Sequence, residues 1–430
     1  MFITGINNTT TKTTTWKVVL PFYLYAALSF LAATILLFIS SNKFLIHYFQ
    51  PNTLAITHIM ALGWGTMIIL GASHQLVPVI VEGKLYSNIL AYISFILAGI
   101  GIPLLVYSLY IFSFGATAKI GGSLILTALL AFVINLALSI TQSKSQNIHA
   151  TFVFTSTLWL FITAFLGVLL VFNFSSSVLS QDSVYYLPLH AHLGIIGWFL
   201  LLIIGVGSRL IPMFLISKYV NEKLLRIIYY LINISLLSFI VIFFIPAFNK
   251  YLFVCYTILF IGIMLFLYYC IQAHKQRIRK KVDEQMKISL LSVIMMLVPL
   301  LPLFIIIFLL TFSAQSNIHL LLLYGFLIFF GWITAIILGM TFKTLPFIVW
   351  NKVYHIQSAN GKTPNPKDLF NNQLFIAMSI CYLCGIFSFV LGILFALILL
   401  LQIGAALLIA TAFLYNYNVA KILLHKPIKL

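Results

Sequence analysis

Hydrophobic positions along the chain neither alternate nor keep to one helix face. They form long runs, nearly unbroken and rich in Leu, Ile and Phe, parted by short polar stretches. A run of about 18 apolar residues or more can cross a hydrocarbon core of about 30 Å. In lipid every backbone group must be satisfied internally, so only helices and closed barrels span it, and barrel strands would alternate. The pattern predicts an all-α, polytopic membrane protein of about 12 transmembrane helices in a single membrane domain, 1–430. The expected spans are 17–40, 54–80, 88–113, 119–141, 150–174, 185–215, 224–247, 251–272, 288–312, 319–349, 373–391 and 393–417. The last two nearly abut, with only Gly392 and its neighbours between them.

The runs repeat. His58–Pro78, His192–Pro212 and Phe326–Pro346 align without gaps at an offset of 134 residues, taken twice. Gly63, Gly197 and Gly331 coincide, as do Trp64, Trp198 and Trp332, then Gly71, Gly205 and Gly339, the three prolines, and Lys84, Lys218 and Lys352. Each segment falls on the second span of a four-span unit, which divides the chain into pseudo-symmetric repeats at about 17–141, 150–272 and 288–417. Internal repeats of this kind are common in membrane proteins. Small residues allow close helix approach, and a proline near a span end can stop or kink the helix.

Composition agrees with the pattern: 63% of residues are hydrophobic and 7% charged, against about 25% charged in soluble domains. The net charge of +18 is no nucleic-acid surface, because the Lys and Arg residues sit in short loops. Of these, 19 lie in the terminal segments and even-numbered loops and 3 (Lys43, Lys119, Lys250) in the odd-numbered loops. The positive-inside rule then puts both termini in the cytoplasm, as expected for the inner (cytoplasmic) membrane, with Lys275 to Lys287 as the main topology anchor. Met1 to Thr15 lacks a signal-peptide pattern, so the first span is expected to serve as its own insertion signal. Cys255, Cys270, Cys381 and Cys384 lie within apolar runs and read as small hydrophobes rather than a disulfide framework. The six acidic residues (Glu82, Asp182, Glu222, Asp283, Glu284, Asp368) lie at or beyond span ends, which argues against a carboxylate-driven proton pump.

The candidate chemistry is histidine. His274, His355 and His425 fall in cytoplasmic segments, His47 in the first outer loop, His149 and His74 near span ends. His58, His190, His192 and His319 instead open spans 2, 6 and 10 on the outer side. Pro78 lies about 30 Å of helix away from His58, at the far face. Four neutral imidazoles in one layer suit haem iron, copper or zinc; helix-end histidines bonded across the bundle are the alternative. His190 and His192 lie about 200° apart on a helix and can serve sites on opposite sides of it. Arg209 and Lys343 lie about 26 Å along the helix from this layer and are expected to snorkel to the cytoplasmic headgroups.

A threefold repeat of four helices, both termini inside, with histidines at the outer ends of spans 2, 6 and 10, resembles the catalytic subunit of haem–copper oxidases and nitric oxide reductases. It is similar also to the NnrS-like twelve-span membrane haem proteins. The resemblance spans nearly the whole chain in topology, with residue matches confined to the quoted segments. It implies haem b as cofactor and a role in handling nitric oxide, haem or electrons. His58, in Thr57-His58-Ile59-Met60-Ala61-Leu62-Gly63-Trp64, takes the place of the family's low-spin haem ligand. The expected axial pair is His58 with His192, and the second choice is His190 with His319. His319 stands seven residues before Phe326, its expected place, and the His-x-His lies on span 6. There is no His-His pair and no His-Pro-Glu-Val-Tyr, so the usual copper ligands are absent and a proton-pumping terminal oxidase is disfavoured. An electron-transfer partner in the membrane or periplasm would follow. A transporter or metal permease without a redox centre, and an oxidase or nitric oxide reductase with rearranged ligands, are the competing readings.

Overall fold

The computed structural model describes residues 14–80, 83–142, 147–313, 317–354 and 363–427. Glu82, His355 and nearly all of the N-terminal segment lie outside the described residues. Among the described residues, twelve helices are long and apolar enough to cross a membrane: α1 (Trp16–Ile39), α2 (Pro51–Ile80), α3 (Asn88–Tyr110), α4 (Ala116–Thr141), α5 (Ile148–Ser176), α6 (Leu187–Leu215), α7 (Glu222–Phe244), α8 (Ala247–Lys275), α9 (Glu284–Phe312), α10 (Ile318–Tyr354), α11 (Asn372–Leu394) and α12 (Ile398–Leu423). No β-strand occurs among the described residues. The chain is an all-α, multi-pass membrane protein, and every expected span has its helix. The break between the last two is a turn after Leu394 in which Ala396 takes a positive φ of 53°.

Helices pair in sequence, α1 with α2, α3 with α4, and so on to α11 with α12. Contacts of α4 with α5, α8 with α9 and α12 with α1 close the ring. Three helices form its interior. In α6 and α10, 72% of the most apolar stretch is buried, and 61% in α2, against 22–44% in the other nine. The repeated glycines explain how the neighbours approach so closely. A Cβ at Gly71 would stand 2.6 Å from Phe22 of α1, at Gly205 2.3 Å from Phe152 of α5, and at Gly339 2.3 Å from Ser289 of α9.

The three inner helices share an irregularity that hydropathy does not reveal. Each opens as an α-helix, widens into a π-helical segment, and resumes as α. The widened segments are Ile59–Thr66, Leu193–Leu200 and Leu327–Ile333, each of which contains the repeated Gly-Trp pair. π-Helical bulges are rare and often lie at functional sites. The tryptophans reach between units: Trp64 Nε1 donates to Thr334 Oγ1 at 3.1 Å, and Trp198 Nε1 to Thr66 Oγ1 at 3.1 Å. The third position of this ring, one offset beyond Thr66 and one before Thr334, is Leu200. Trp332 Nε1 is correspondingly buried without a hydrogen-bond partner.

At the proline end, Lys343 does not snorkel as expected. Its ammonium pairs with Asp283, and its side chain is only 12% exposed. Asp283 also faces Arg279 at 3.2 Å and caps α9 by accepting from Met286 N at 3.1 Å. A lysine in the apolar interior needs such a partner, since an unpaired charge there is costly.

Candidate functional site

His58 is the last α-helical residue before the first widened segment. Its Nδ1 donates to the carbonyl of Leu54, one turn earlier, at 2.8 Å. His192, its equivalent one offset later, does the same to Pro188 at 2.7 Å. A carbonyl can only accept, so both rings carry their proton on Nδ1 and leave the Nε2 lone pair free.

The expected pairing of these two is not what the structure brings together. Two residues along α6 turn the chain by about 200°, so His190 and His192 face different interfaces. His190 faces His58: the ring centres are 6.4 Å apart and the planes differ by 18°. His192 instead meets Phe239, Tyr256 and Tyr324. The second expected pair, His190 with His319, is likewise replaced. His319 is half-buried at the start of α10 and is absent from the lining of the cavity between His58 and His190.

That cavity has a volume of about 310 Å³ and lies between α2, α3, α4, α5 and α6. This is within the range of about 300–1,000 Å³ for cofactor and small-molecule sites. Its walls are mostly aliphatic and aromatic, with Thr57, Thr66 and Thr163 among the few polar groups besides the histidines. Phe49, Phe114 and Phe174 bound it further, Phe114 and Phe174 stacking at 3.9 Å. Space for the His190 ring is made by Gly167, where a Cβ would stand 2.9 Å from the ring's Cε1. The Thr163 carbonyl faces the ring, and His190 Nδ1 is buried without a hydrogen bond.

The same interface recurs one repeat later with a different interior. The offset of 134 residues carries His58 to His192, His190 to Tyr324, Gly122 to Tyr256 and Leu105 to Phe239. Tyr324 keeps the geometry of the residue it replaces: its ring centre is 6.1 Å from that of His192, with planes 23° apart. Tyr256 and Phe239 occupy what Gly122 and Leu105 leave open. Both hydroxyls, of Tyr256 and of Tyr324, lie 3.4 Å from His192 Nε2. In the third copy, Phe326 stands in the histidine position and stacks on Phe389 at 4.3 Å.

The other histidines play local parts. His149 ties α5 to α6 through Ser208 Oγ at 2.9 Å and the Gly205 carbonyl at 3.2 Å. His47 Nδ1 accepts from Phe49 N at 3.0 Å, and His425 Nε2 lies 2.9 Å from the Tyr354 hydroxyl. His74 is buried between Phe22 and Phe132 near the proline end of α2. Among the described residues, no three His, Cys, Asp or Glu side chains are gathered as they would be around a metal ion.

Reading histidines alone missed Gly122, Gly167, Tyr256 and Tyr324. The signal for three of these was present, because the repeat offset extends beyond the quoted segments and aligns His190 with Tyr324 and Gly122 with Tyr256. Compared with protein-family models and with curated proteins, the chain finds no match.

Proposed function

We propose that the chain is a membrane haem protein in which His58 and His190 would hold a b-type haem between α2 and α6. The observation that carries this reading is the separation of the two rings. Metal–imidazole bonds of about 2.0–2.1 Å, with roughly 1.1 Å from nitrogen to ring centre, place two imidazoles on one ion about 6.3 Å apart. The observed separation is 6.4 Å. The donor set fits as well: His58 Nδ1 is tied to a carbonyl, His190 Nδ1 is buried and unbonded, and the walls between them are apolar. Two neutral nitrogen ligands without a carboxylate suit haem iron.

A haem held there would supply one-electron chemistry. Because His58 and His190 would both serve to hold it, the site would suit electron transfer better than substrate binding at a metal. The walls around it are mostly apolar, and the Leu54 carbonyl holds the His58 ring in one tautomer and orientation. In this reading the protein sits in the cytoplasmic membrane with its histidine end outward, where a membrane or periplasmic electron carrier would meet it.

The test is the absorption spectrum of the purified protein from haem-replete cells. A low-spin spectrum is expected, abolished or converted to high spin by His58→Ala and by His190→Ala and retained in His192→Ala. A colourless wild-type protein defeats the reading and favours a transporter that uses the same cavity.

A further inference from the structure

The second copy of the interface contains a donor set of its own. His192 Nε2 carries a lone pair, because Nδ1 donates to Pro188. Two phenols from different helices, Tyr256 of α8 and Tyr324 of α10, bring their oxygens to 3.4 Å from that nitrogen. As hydrogen bonds these contacts are poor. Hydroxyl hydrogen bonds are typically about 2.7–2.8 Å long, and one lone pair serves one donor well. As the edges of a coordination polyhedron they fit: bonds of about 2.0–2.1 Å around a tetrahedral ion separate its donors by about 3.3–3.4 Å.

We propose that His192, Tyr256 and Tyr324 form a binding site for one divalent transition-metal ion. Charge supports a divalent ion: a neutral imidazole and two phenolates balance it, so no net charge is buried in the apolar interior. Donor chemistry narrows the class, since one imidazole and two phenolate oxygens, without thiolate, suit zinc, copper(II) or iron rather than copper(I). On binding, a metal–oxygen bond replaces each phenol O–H bond, the two protons pass to solvent, and nothing is oxidised or reduced. The site lies across α6 from His190 and does not depend on haem binding. His192 retains 9% exposure and Tyr324 is partly buried.

Cobalt(II) tests this in the full-length purified protein. The expected result is uptake of one ion per chain, with the intense visible bands of tetrahedral cobalt and a cobalt-edge absorption spectrum fitted by nitrogen and oxygen donors. Tyr256→Phe and Tyr324→Phe preserve ring shape and packing, and each is expected to weaken uptake at least tenfold, as is His192→Ala. Helical circular dichroism reports whether each variant is folded. Failure of the wild-type protein to take up cobalt saturably overturns the site, and so does uptake that is unchanged in the folded Tyr→Phe variants.

Discussion

The α2–α6 interface and the α6–α10 interface share one plan and have opposite interiors. Each presents a histidine whose Nδ1 is bonded one turn back, just before a π-helical segment. Each faces that histidine with a second ring about 6 Å away, His190 in one and Tyr324 in the other. Yet the first encloses about 310 Å³, whereas in the second Tyr256 and Phe239 pack against the histidine. Topology is common to both, so it does not set the interior. Side-chain volume does: Gly122 against Tyr256 and Leu105 against Phe239 separate an open cavity from a filled gap.

The comparison can be broken most sharply by exchanging the interiors. Gly122→Tyr places in the first interface the ring that fills the second. On the proposed reading, haem content per chain is expected to fall roughly tenfold or more, because the added ring would take up the cavity volume that the haem needs. The measurement is the haem-to-protein ratio, and an unchanged ratio places the haem elsewhere. The converse triple variant, Phe239→Leu, Tyr256→Gly and Tyr324→His, opens the second interface and supplies its second imidazole. Removing the Tyr256 ring costs about 3–5 kcal/mol and Phe239→Leu adds a smaller loss, so stability is expected to drop while, on the proposed reading, haem content rises from one to two per chain.

A smaller effect tests the packing behind His190. In Gly167→Ala the new methyl would stand 2.9 Å from the ring, so the ring must shift. Overpacking of this kind costs about 1–3 kcal/mol. A mixed low-spin and high-spin spectrum is expected, between wild type and His190→Ala; a pure low-spin spectrum would show that the ring has room to move.

The smallest effect concerns the tryptophan ring. Trp64→Phe and Trp198→Phe each lose a hydrogen bond to a threonine, whereas Trp332 has none to lose. Each of the first two is expected to destabilise by about 0.5–1.5 kcal/mol more than Trp332→Phe. Thermal unfolding in detergent measures this, and equal losses in all three would mean that packing alone sets their worth.

Much of this was legible in the chain itself. The twelve spans follow from uninterrupted apolar runs, since lipid leaves the backbone no alternative to the helix. The equivalence of α2, α6 and α10 follows from Gly-Trp pairs at one offset, and the layer of His58, His190 and His192 from their place at span ends. Partnership was not legible. Whether His58 meets His190 or His192 depends on how α2 and α6 are rotated about their axes, and a π-helical segment inside each resets that rotation without leaving a hydropathy signal. Nor does the sequence state which glycine borders a cavity and which a helix contact: Gly122 and Gly205 are both small residues in apolar runs. Only the packed tertiary structure, which sets one side chain's volume against another's across each interface, opens the interior at one histidine and fills it at the next.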